Sequence, residues 1–254
     1  MGLTLWFALV SAALSADPGL RIAAAAGSLT AGDTAPFLAL FDPGMPGLAQ
    51  WKARLSDPAT EVQLPAIEFL RPDGGAGTLA MNWQVRIVQQ QGSPATTTRT
   101  RRVTCRFAAK DGQWRIAGIE PLDVLTPPDV GGAFALLQSA ASALVEPQPE
   151  TRLPIFLASL DPAMPGFGRL RENVGGWVVR GDVHSSIDLV SNEGDDLTRT
   201  ITVDWTLNIV VPETGIQRFE RSRRVVCRVA RHGRHWKIEG IDPLDFFAPP
   251  DAIE

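Results

Sequence analysis

The chain has 254 residues and a net charge of −4, with 44% hydrophobic and 20% charged residues. This balance is typical of a globular protein and excludes a disordered chain, and the length suits two domains of ordinary size. The small net charge gives no general attraction to nucleic acid or anionic membranes, and the absence of tyrosine excludes phenol acid–base chemistry.

The chain begins with an apolar run over residues 3–14, followed by Ser15, Ala16 and the dipeptide Asp17-Pro18. The run is too short to span a bilayer and is typical of a secretory signal peptide that ends at small residues. We therefore predict a signal peptide over residues 1–16 and a periplasmic or extracellular protein. The alternative is a cytoplasmic protein in which this run is a buried first helix.

Helices are predicted first along the chain. Asp17 and Pro18 are suited to cap and begin an alanine-rich helix that runs to Leu29. A second helix begins after residues 32–34, and a third is predicted over Leu48–Leu55. Residues 79–87 then alternate between apolar and polar side chains, which predicts a half-buried antiparallel strand. Turns are predicted at residues 72–75, 91–94, 111–112 and 213–215.

The second half of the chain follows the same plan. Helices are predicted over Phe134–Val145, around residues 156–160 and over Phe167–Val174, and the alternation returns at residues 201–209. Helices followed by strands in each half predict an α+β fold.

Several motifs of the first half recur in the second. The octapeptide at residues 99–106 returns in closely similar form at 221–228, 122 residues further on, and Trp83 and Trp114 return as Trp205 and Trp236 at the same spacing. Because this period is too long for a solenoid repeat, it indicates a duplicated domain. We predict one domain over residues 17–129 and a second over residues 130–254.

These motifs resemble the nuclear transport factor 2-like (NTF2-like), or SnoaL-like, superfamily. The resemblance rests on the Phe-Leu-Ala-Leu-Phe-Asp-Pro stretch at residues 37–43, the strands centred on tryptophan, the arginine-rich strand and the Gly-x-Trp-x-Ile pattern at residues 112–116. The second copy departs from the last pattern, because its glycine lies one place earlier.

The resemblance implies two tandem cone-shaped domains, each with N-terminal helices packed on a curved antiparallel sheet. Members of the superfamily commonly dimerise through the other sheet face, so the two copies are expected to form a pseudo-dimer within one chain. The superfamily includes isomerases, cyclases, dehydratases, transport adaptors and non-enzymatic domains, and the fold alone does not choose among them.

Enzymes of this superfamily use an Asp–His or Asp–Tyr pair inside the cone, and the sequence offers three weak candidates for acid–base groups. His184 precedes a predicted strand, and Glu68 and Asp188 occupy equivalent strand positions between apolar neighbours. If one of these carboxylates faced into a cone, burial would raise its pKa. His232 and His235 flank a tight turn and are expected to be exposed.

Strand alternation predicts which side chains line the cones. The candidate lining residues are Trp83, Cys105, Trp114, Trp205, Cys227 and Trp236. A filled hydrophobic core and a ligand cavity are the two alternatives for these positions. Neither cysteine has a second cysteine or a histidine at metal-binding spacing, so they are expected to be buried, reduced thiols, and no metal site or cofactor is predicted.

The sequence therefore predicts an exported tandem NTF2-like protein that binds a small apolar ligand or serves as an interaction module, without catalysis. The alternative is a SnoaL-like isomerase or hydro-lyase that uses acid–base chemistry in one cone. A buried ionisable pair would favour the enzyme, a hollow apolar cone would favour ligand binding, and a filled cone would favour the scaffold.

Overall fold

The computed structural model describes residues 18–70, 77–91, 94–110, 113–211 and 217–249. The chain divides into two compact units, one comprising Met1–Gln91 with Thr96–Pro128 and the other Gly92–Ala95 with the chain from Asp129 onward. The predicted signal peptide and the capping role of Asp17 lie outside the described residues, and the four predicted turns lie wholly or partly outside them.

The first unit has helices followed by four strands in the order β1-β2-β3-β4. Its elements are α1 Pro18–Thr30, α2 Thr34–Leu38, α3 Leu48–Leu55, β1 Thr60–Phe69, β2 Thr78–Gln89, β3 Ala95–Lys110 and β4 Gln113–Glu120, with a 3₁₀ helix at Leu122–Leu125.

The second unit repeats this order of elements. They are α4 Gly131–Ala143, α5 Pro149–Ala158, α6 Phe167–Val178, β5 Asp182–Gly194, β6 Thr198–Val211, β7 Gln217–His232 and β8 His235–Asp242, with a 3₁₀ helix at Leu244–Phe247. The four strands form an antiparallel meander. The predicted α+β class is thus confirmed. The third helix of this unit continues to Val178, four residues beyond its predicted end at Val174.

Local features of the sequence determine where the helices begin. Asp33 caps α2, since its side chain accepts a hydrogen bond from the backbone N–H of Ala35. Gly47 and Gly166 precede α3 and α6 with φ of 81° and 79°. This left-handed backbone conformation is rarely adopted by residues other than glycine. A Cβ on Gly166 would also lie 2.6 Å from a methyl of Leu244, so glycine is required there for space as well.

The alternation predicted for the strands is confirmed. In β2 every second side chain from Met81 to Ile87 is fully buried, and in β6 the same holds for alternate residues from Ile201 to Ile209. Trp83 lies opposite Ile67 in β1, and Trp205 lies opposite Ile187 in β5. The two tryptophans therefore occupy equivalent places in their units, facing the helices.

Aromatic rings fill the centre of the first unit. The ring of Phe37 lies 6.4 Å from the ring of Trp51 and 6.2 Å from that of Trp83, measured between centroids, and Phe41 meets Trp51 edge to face at 5.3 Å. These four side chains are at most 1% exposed. The predicted cone is therefore closed at its centre by its own core.

The second unit is filled in the same way with different rings. Trp205 meets Phe247 edge to face at 5.2 Å, and Phe246 and Phe156 also pack on Phe247 at 5.0 and 5.7 Å. Trp177 from α6 is fully buried beside them.

The 3₁₀ helices complete both cores, a role that was not predicted. Leu122–Leu125 buries Val124 and Leu125, and Leu244–Phe247 buries two phenylalanines. Each segment is held by the indole N–H of a helix tryptophan, which donates to a backbone carbonyl: Trp51 to Leu122 at 2.8 Å and Trp177 to Phe247 at 3.0 Å.

A β-bulge interrupts the last strand pair of each unit at the same place. In the second unit Arg228 pairs with Gly240 and Val229 with Ile238, so Glu239 is the extra residue. In the first unit Arg106 pairs with Gly118 and Phe107 with Ile116, so Ala117 is the extra residue. Ala117 and Glu239 are therefore equivalent residues of the two units, and both are left out of the regular pairing between strands.

Within the described residues, no helix combines the length and the apolar character needed to cross a membrane.

Candidate functional site

Four of the six predicted lining residues lie in the filled cores. Trp83 and Cys105 in the first unit, and Trp205 and Cys227 in the second, have no exposed surface. These four residues therefore belong to a filled core and do not line a cavity.

The two cysteines are free and lie inside the core of their own unit, as the alternation predicts. Burial in apolar surroundings raises the pKa of each thiol to about 12, because the thiolate loses its hydration. Both groups are therefore protonated at neutral pH and poor nucleophiles.

The other two predicted lining residues lie at the edge of their cores. Trp114, near the start of β4, is 42% exposed, and Trp236 at the equivalent place in β8 is partly buried. Trp114 is held at its backbone, where its carbonyl accepts a hydrogen bond from Arg21 of α1 at 3.2 Å. Trp114 is predicted to line the cone with Trp83 and Cys105, but it is partly exposed at the margin and does not belong to the filled core.

An apolar pocket lies beside Trp114. Its volume is about 340 Å³, and its walls are Pro18–Gly19 at the start of α1, Gly77–Leu79 at the start of β2, and the rings of Phe107 and Trp114. Among the described residues, no titratable side chain lines it. We call this site the mouth pocket.

The second unit has a phenylalanine where the mouth pocket has a glycine. The leading helices of the two units bury residues at the same spacing. In α1 the buried residues include positions 22, 25, 26 and 29. In α4 and its C-cap they include positions 137, 140, 141 and 144, each 115 residues further on (22 to 137). This alignment pairs Gly19 with Phe134, whose side chain is 8% exposed within the core. The start of α4 also lies against Trp236, since a Cβ on Gly132 would be 3.3 Å from its ring.

The three weak candidates for acid–base groups do not face a core. Glu68, Asp188 and His184 are all exposed. The carboxylate of Glu68 accepts a hydrogen bond from the side chain of Asn82 at 2.9 Å. His184 lines a shallow surface pocket of about 200 Å³ with neighbouring hydroxyl and amide side chains. None of the three lies in the buried, apolar surroundings that acid–base catalysis of this kind needs.

Among the described residues, the buried charged side chains are two arginines. Arg152 donates to the backbone carbonyls of Glu146, Val178 and Gly181 at 2.7 to 3.0 Å. Arg199 donates to the backbone carbonyls of Asn192 and Asp195, and burial lowers its pKa to about 10, against the raising effect of nearby carboxylates. Both arginines serve to satisfy backbone carbonyls.

Two arginines of the arginine-rich strand β7 contact groups of their own unit. Arg224 forms a two-point contact with Asp204 on the neighbouring strand, at 3.0 and 3.2 Å, and this hydrogen bond lowers the pKa of the Asp204 carboxyl. Arg221 donates to the carbonyls of Phe246 and Ala248, and so fixes the 3₁₀ segment. Arg224 thus pairs with a carboxylate on the neighbouring strand.

One group of histidine and carboxylate side chains among the described residues lies close enough to hold a metal ion. It consists of Asp161, His232 and Glu239 in the second unit, and its ligand atoms all lie within 4.8 Å of one another. His232 is exposed, as predicted, and so is His235. No metal site is predicted from the sequence, in which Asp161 lies 71 residues before His232 (161 to 232).

Comparison with known proteins gives no relative by sequence. No family model matches the chain, and no curated protein is significantly similar to it. Several solved structures, among them the following three, are similar to parts of the chain. One is Aln2 from a Streptomyces species, at 9% identity and a TM-score of 0.32 over 45% of this chain and 91% of that one.

The second is a variant of the protein named Rd1NTF2_05, at 15% identity and a TM-score of 0.29 over 43% of this chain and 96% of that one. The third is an NTF2-like protein involved in plasmid conjugation, at 9% identity and a TM-score of 0.22 over 83% of this chain and 88% of that one.

The architecture of each unit is that of the NTF2-like fold. Three helices precede a curved four-stranded sheet in each unit, and they cover the apolar face on which the strand tryptophan lies. Each unit thus has the arrangement of helices and sheet that the resemblance in the sequence implies.

Proposed function

We propose that the chain is an exported tandem NTF2-like protein whose first unit binds a small apolar molecule in the mouth pocket. The second unit serves as a packed scaffold. The observation that carries the proposal is the mouth pocket itself, which combines two aromatic side chains with glycine backbone and has no titratable group among its described lining residues. Such a lining favours an apolar, uncharged ligand, because it offers dispersion contacts and no charge partner.

The proposed role is binding without catalysis. An isomerase or hydro-lyase of this fold needs a base whose pKa is shifted inside an apolar cavity. In the described part of the chain, no carboxylate and no histidine is buried, and the candidates Glu68, Asp188 and His184 are on the surface. No specific observation favours the enzymatic alternative.

We also propose that the two units arose by duplication of one domain, with copies over residues 17–129 and 130–254, and that they pair as a pseudo-dimer. The recurring motifs and the equivalent tryptophans support this, since a duplicated dimer-forming domain can keep its parental interface within one chain. The chain should then be monomeric in solution. Light scattering that gives twice the mass of one chain would contradict the pseudo-dimer.

Export is proposed from the apolar run over residues 3–14 and the small residues that follow it. Mass spectrometry of the protein from its native host should find a mature chain that begins at Asp17 in the extracytoplasmic fraction. A mature chain that begins at Met1 in the cytoplasm would contradict export.

Ligand binding can be tested with the fluorescent probe N-phenyl-1-naphthylamine, which is small, apolar and uncharged. Titration of the protein should give saturable fluorescence enhancement with one site per chain. Trp114→Ala should weaken probe binding about tenfold, because it removes one aromatic wall of the pocket. Trp236→Ala is the matched control in the second unit and should leave the affinity unchanged. Equal effects of the two substitutions, or no saturable binding, would refute the proposed function.

A further inference from the structure

A second site with different chemistry lies on the second unit, and it does not depend on the proposed function. We propose that Asp161, His232 and Glu239 bind a zinc ion.

The backbone around Asp161 aims one carboxylate oxygen at the other two residues. The Asp161 N–H donates to the carbonyl of Ile238 at 2.8 Å, next to the bridge between Leu160 and Ile238, so the residue is fixed against β8. One oxygen, Oδ1, accepts the N–H of Ala163 at 2.8 Å. The other oxygen, Oδ2, faces His232 at 3.6 Å from Nε2. Asp161 is thus a pre-oriented ligand with one carboxylate oxygen directed into the cluster.

The bulge in β8 supplies the second carboxylate. Glu239 is the extra residue between the pairs Arg228–Gly240 and Val229–Ile238, and its Oε1 lies 3.0 Å from Nε2 of His232. Bulges commonly redirect one side chain out of the regular alternation. Here the redirected side chain meets the histidine at the end of β7.

The ligand spacing suits a tetrahedral ion. Zinc binds imidazole nitrogen and carboxylate oxygen at roughly 2.0–2.2 Å, so two ligand atoms on a tetrahedral ion lie roughly 3.3–3.5 Å apart. The two distances from Nε2 are 3.0 and 3.6 Å, on either side of that value. Small rotations of exposed side chains suffice to bring all three atoms to one ion.

Charge also favours a cation. With neutral His232 the two carboxylates place two negative charges within 4.8 Å of the same imidazole nitrogen. A divalent ion balances both charges, and when it binds at Nε2 the proton of the neutral imidazole is carried by Nδ1. Imidazole nitrogen and carboxylate oxygen are both ligands that zinc accepts, whereas calcium and magnesium prefer oxygen ligands alone.

The neighbouring pocket gives the ion an open side. This pocket has a volume of about 540 Å³, and its walls include Asp161, Glu239 and the two arginines Arg199 and Arg228. Three protein ligands leave a fourth tetrahedral position, which water or an anion can take. The arginines favour an anion on that side.

The first unit lacks this set of residues. By the repeat spacing, Asp161 corresponds to Asp42 (42 to 161), but His232 and Glu239 correspond to Lys110 and Ala117 (110 to 232, 117 to 239). One aspartate with an alanine and a lysine cannot hold a divalent ion. The proposal therefore predicts one zinc ion per chain.

The test is calorimetric titration of the tag-free protein with zinc chloride at pH 7.5. We expect one site, with His232→Ala weakening zinc binding at least 100-fold and Glu239→Gln about tenfold. His235→Ala is the matched control, three residues away on the same turn and outside the cluster, and His184→Ala is a second control. Both should bind zinc as the wild type does. Magnesium chloride should bind far more weakly than zinc.

Thermal melting of each variant shows that the fold is retained, which is expected because His232 and His235 are both exposed. Lowering the pH from 7.5 to 5.5 should also weaken zinc binding, since His232 must be unprotonated to act as a ligand. Equal zinc affinity in His232→Ala and His235→Ala would overturn the proposal. So would the absence of zinc binding by the wild-type protein.

Discussion

The two units use one plan and fill it differently. In the second unit Phe134 occupies the start of α4, whereas the first unit has Gly19 at the corresponding place and an apolar pocket beside it. The second unit instead places a histidine and two carboxylates on its surface, where the first has a lysine, an aspartate and an alanine. The same backbone thus presents an apolar pocket in one unit and a polar cluster in the other.

This difference shows which part of the fold is free to change. The central rings and the tryptophan-held 3₁₀ segment occur in both units, because each sheet must bury its apolar face. The first turn of the leading helix and the bulge in the last strand lie at the margin of that core. A change from Phe to Gly, or from Ala to Glu, alters the chemistry there without disturbing the centre.

The largest effect is expected at the centre, where the two units are alike. Trp83→Ala and Trp205→Ala should each lower the free energy of unfolding by about 3–5 kcal/mol, since each truncates a fully buried aromatic side chain. Chemical denaturation measures the loss. A loss below about 1 kcal/mol in either variant would mean that its unit is not filled as described.

A smaller effect is expected at Arg152, which only the second unit has. Arg152→Met removes the hydrogen bonds to the carbonyls of Val178 and Gly181 and should cost about 2–3 kcal/mol. Arg169→Met, on the exposed face of α6, is the control and should change stability by less than about 0.5 kcal/mol. Similar losses in the two variants would show that the carbonyl contacts do not matter.

The central tryptophans offer a finer comparison. The indole N–H of Trp205 donates to the Ser185 hydroxyl at 3.0 Å, whereas that of Trp83 is buried and has no partner among the described residues. Trp205→Phe should therefore destabilise the protein by about 1 kcal/mol more than Trp83→Phe, because only the first loses a hydrogen bond. Denaturation of both variants measures this difference. A greater loss for Trp83→Phe would contradict it.

The smallest effect concerns the two thiols and pH. Burial raises the pKa of Cys105 and Cys227 from 9.0 to about 12, so the folded state holds these protons at a pH where the unfolded state releases them. The contribution of the two protonated thiols to the free energy of unfolding is complete below pH 9, and it declines as the pH rises from 9 to about 12. The double variant Cys105→Ala/Cys227→Ala should show a shallower decline of unfolding free energy over this range. An unchanged slope would mean that the thiols are not buried.

Much of the fold could be predicted from the sequence. Period-two alternation around Trp83 and Trp205 identifies the strands and their buried faces, because sheet geometry imposes that period directly. The recurring motifs also identify the two similar halves. The core role of Phe246–Phe247 could not be predicted in this way, since two adjacent phenylalanines in a four-residue 3₁₀ helix have no periodicity.

The candidate sites were harder to predict. Trp114 has the alternation of a lining residue, but alternation does not tell where the covering helices end. Gly19 was not singled out, because it lines the pocket by its lack of a side chain. Asp161 and His232 are brought together only by the folded chain. A comparison of the two copies could have pointed to His232 and Glu239, since both differ in chemistry from Lys110 and Ala117.

The central claim is that the first unit has an open mouth pocket because it lacks the phenylalanine of the second. Stoichiometric titration with N-phenyl-1-naphthylamine tests this claim most directly in the Gly19→Phe variant. Gly27→Phe is its control, since it adds the same side chain to the same helix where a Cβ would meet no atom within 4 Å. We predict that Gly19→Phe abolishes the site and that Gly27→Phe retains it. Undiminished probe binding by Gly19→Phe would contradict the account.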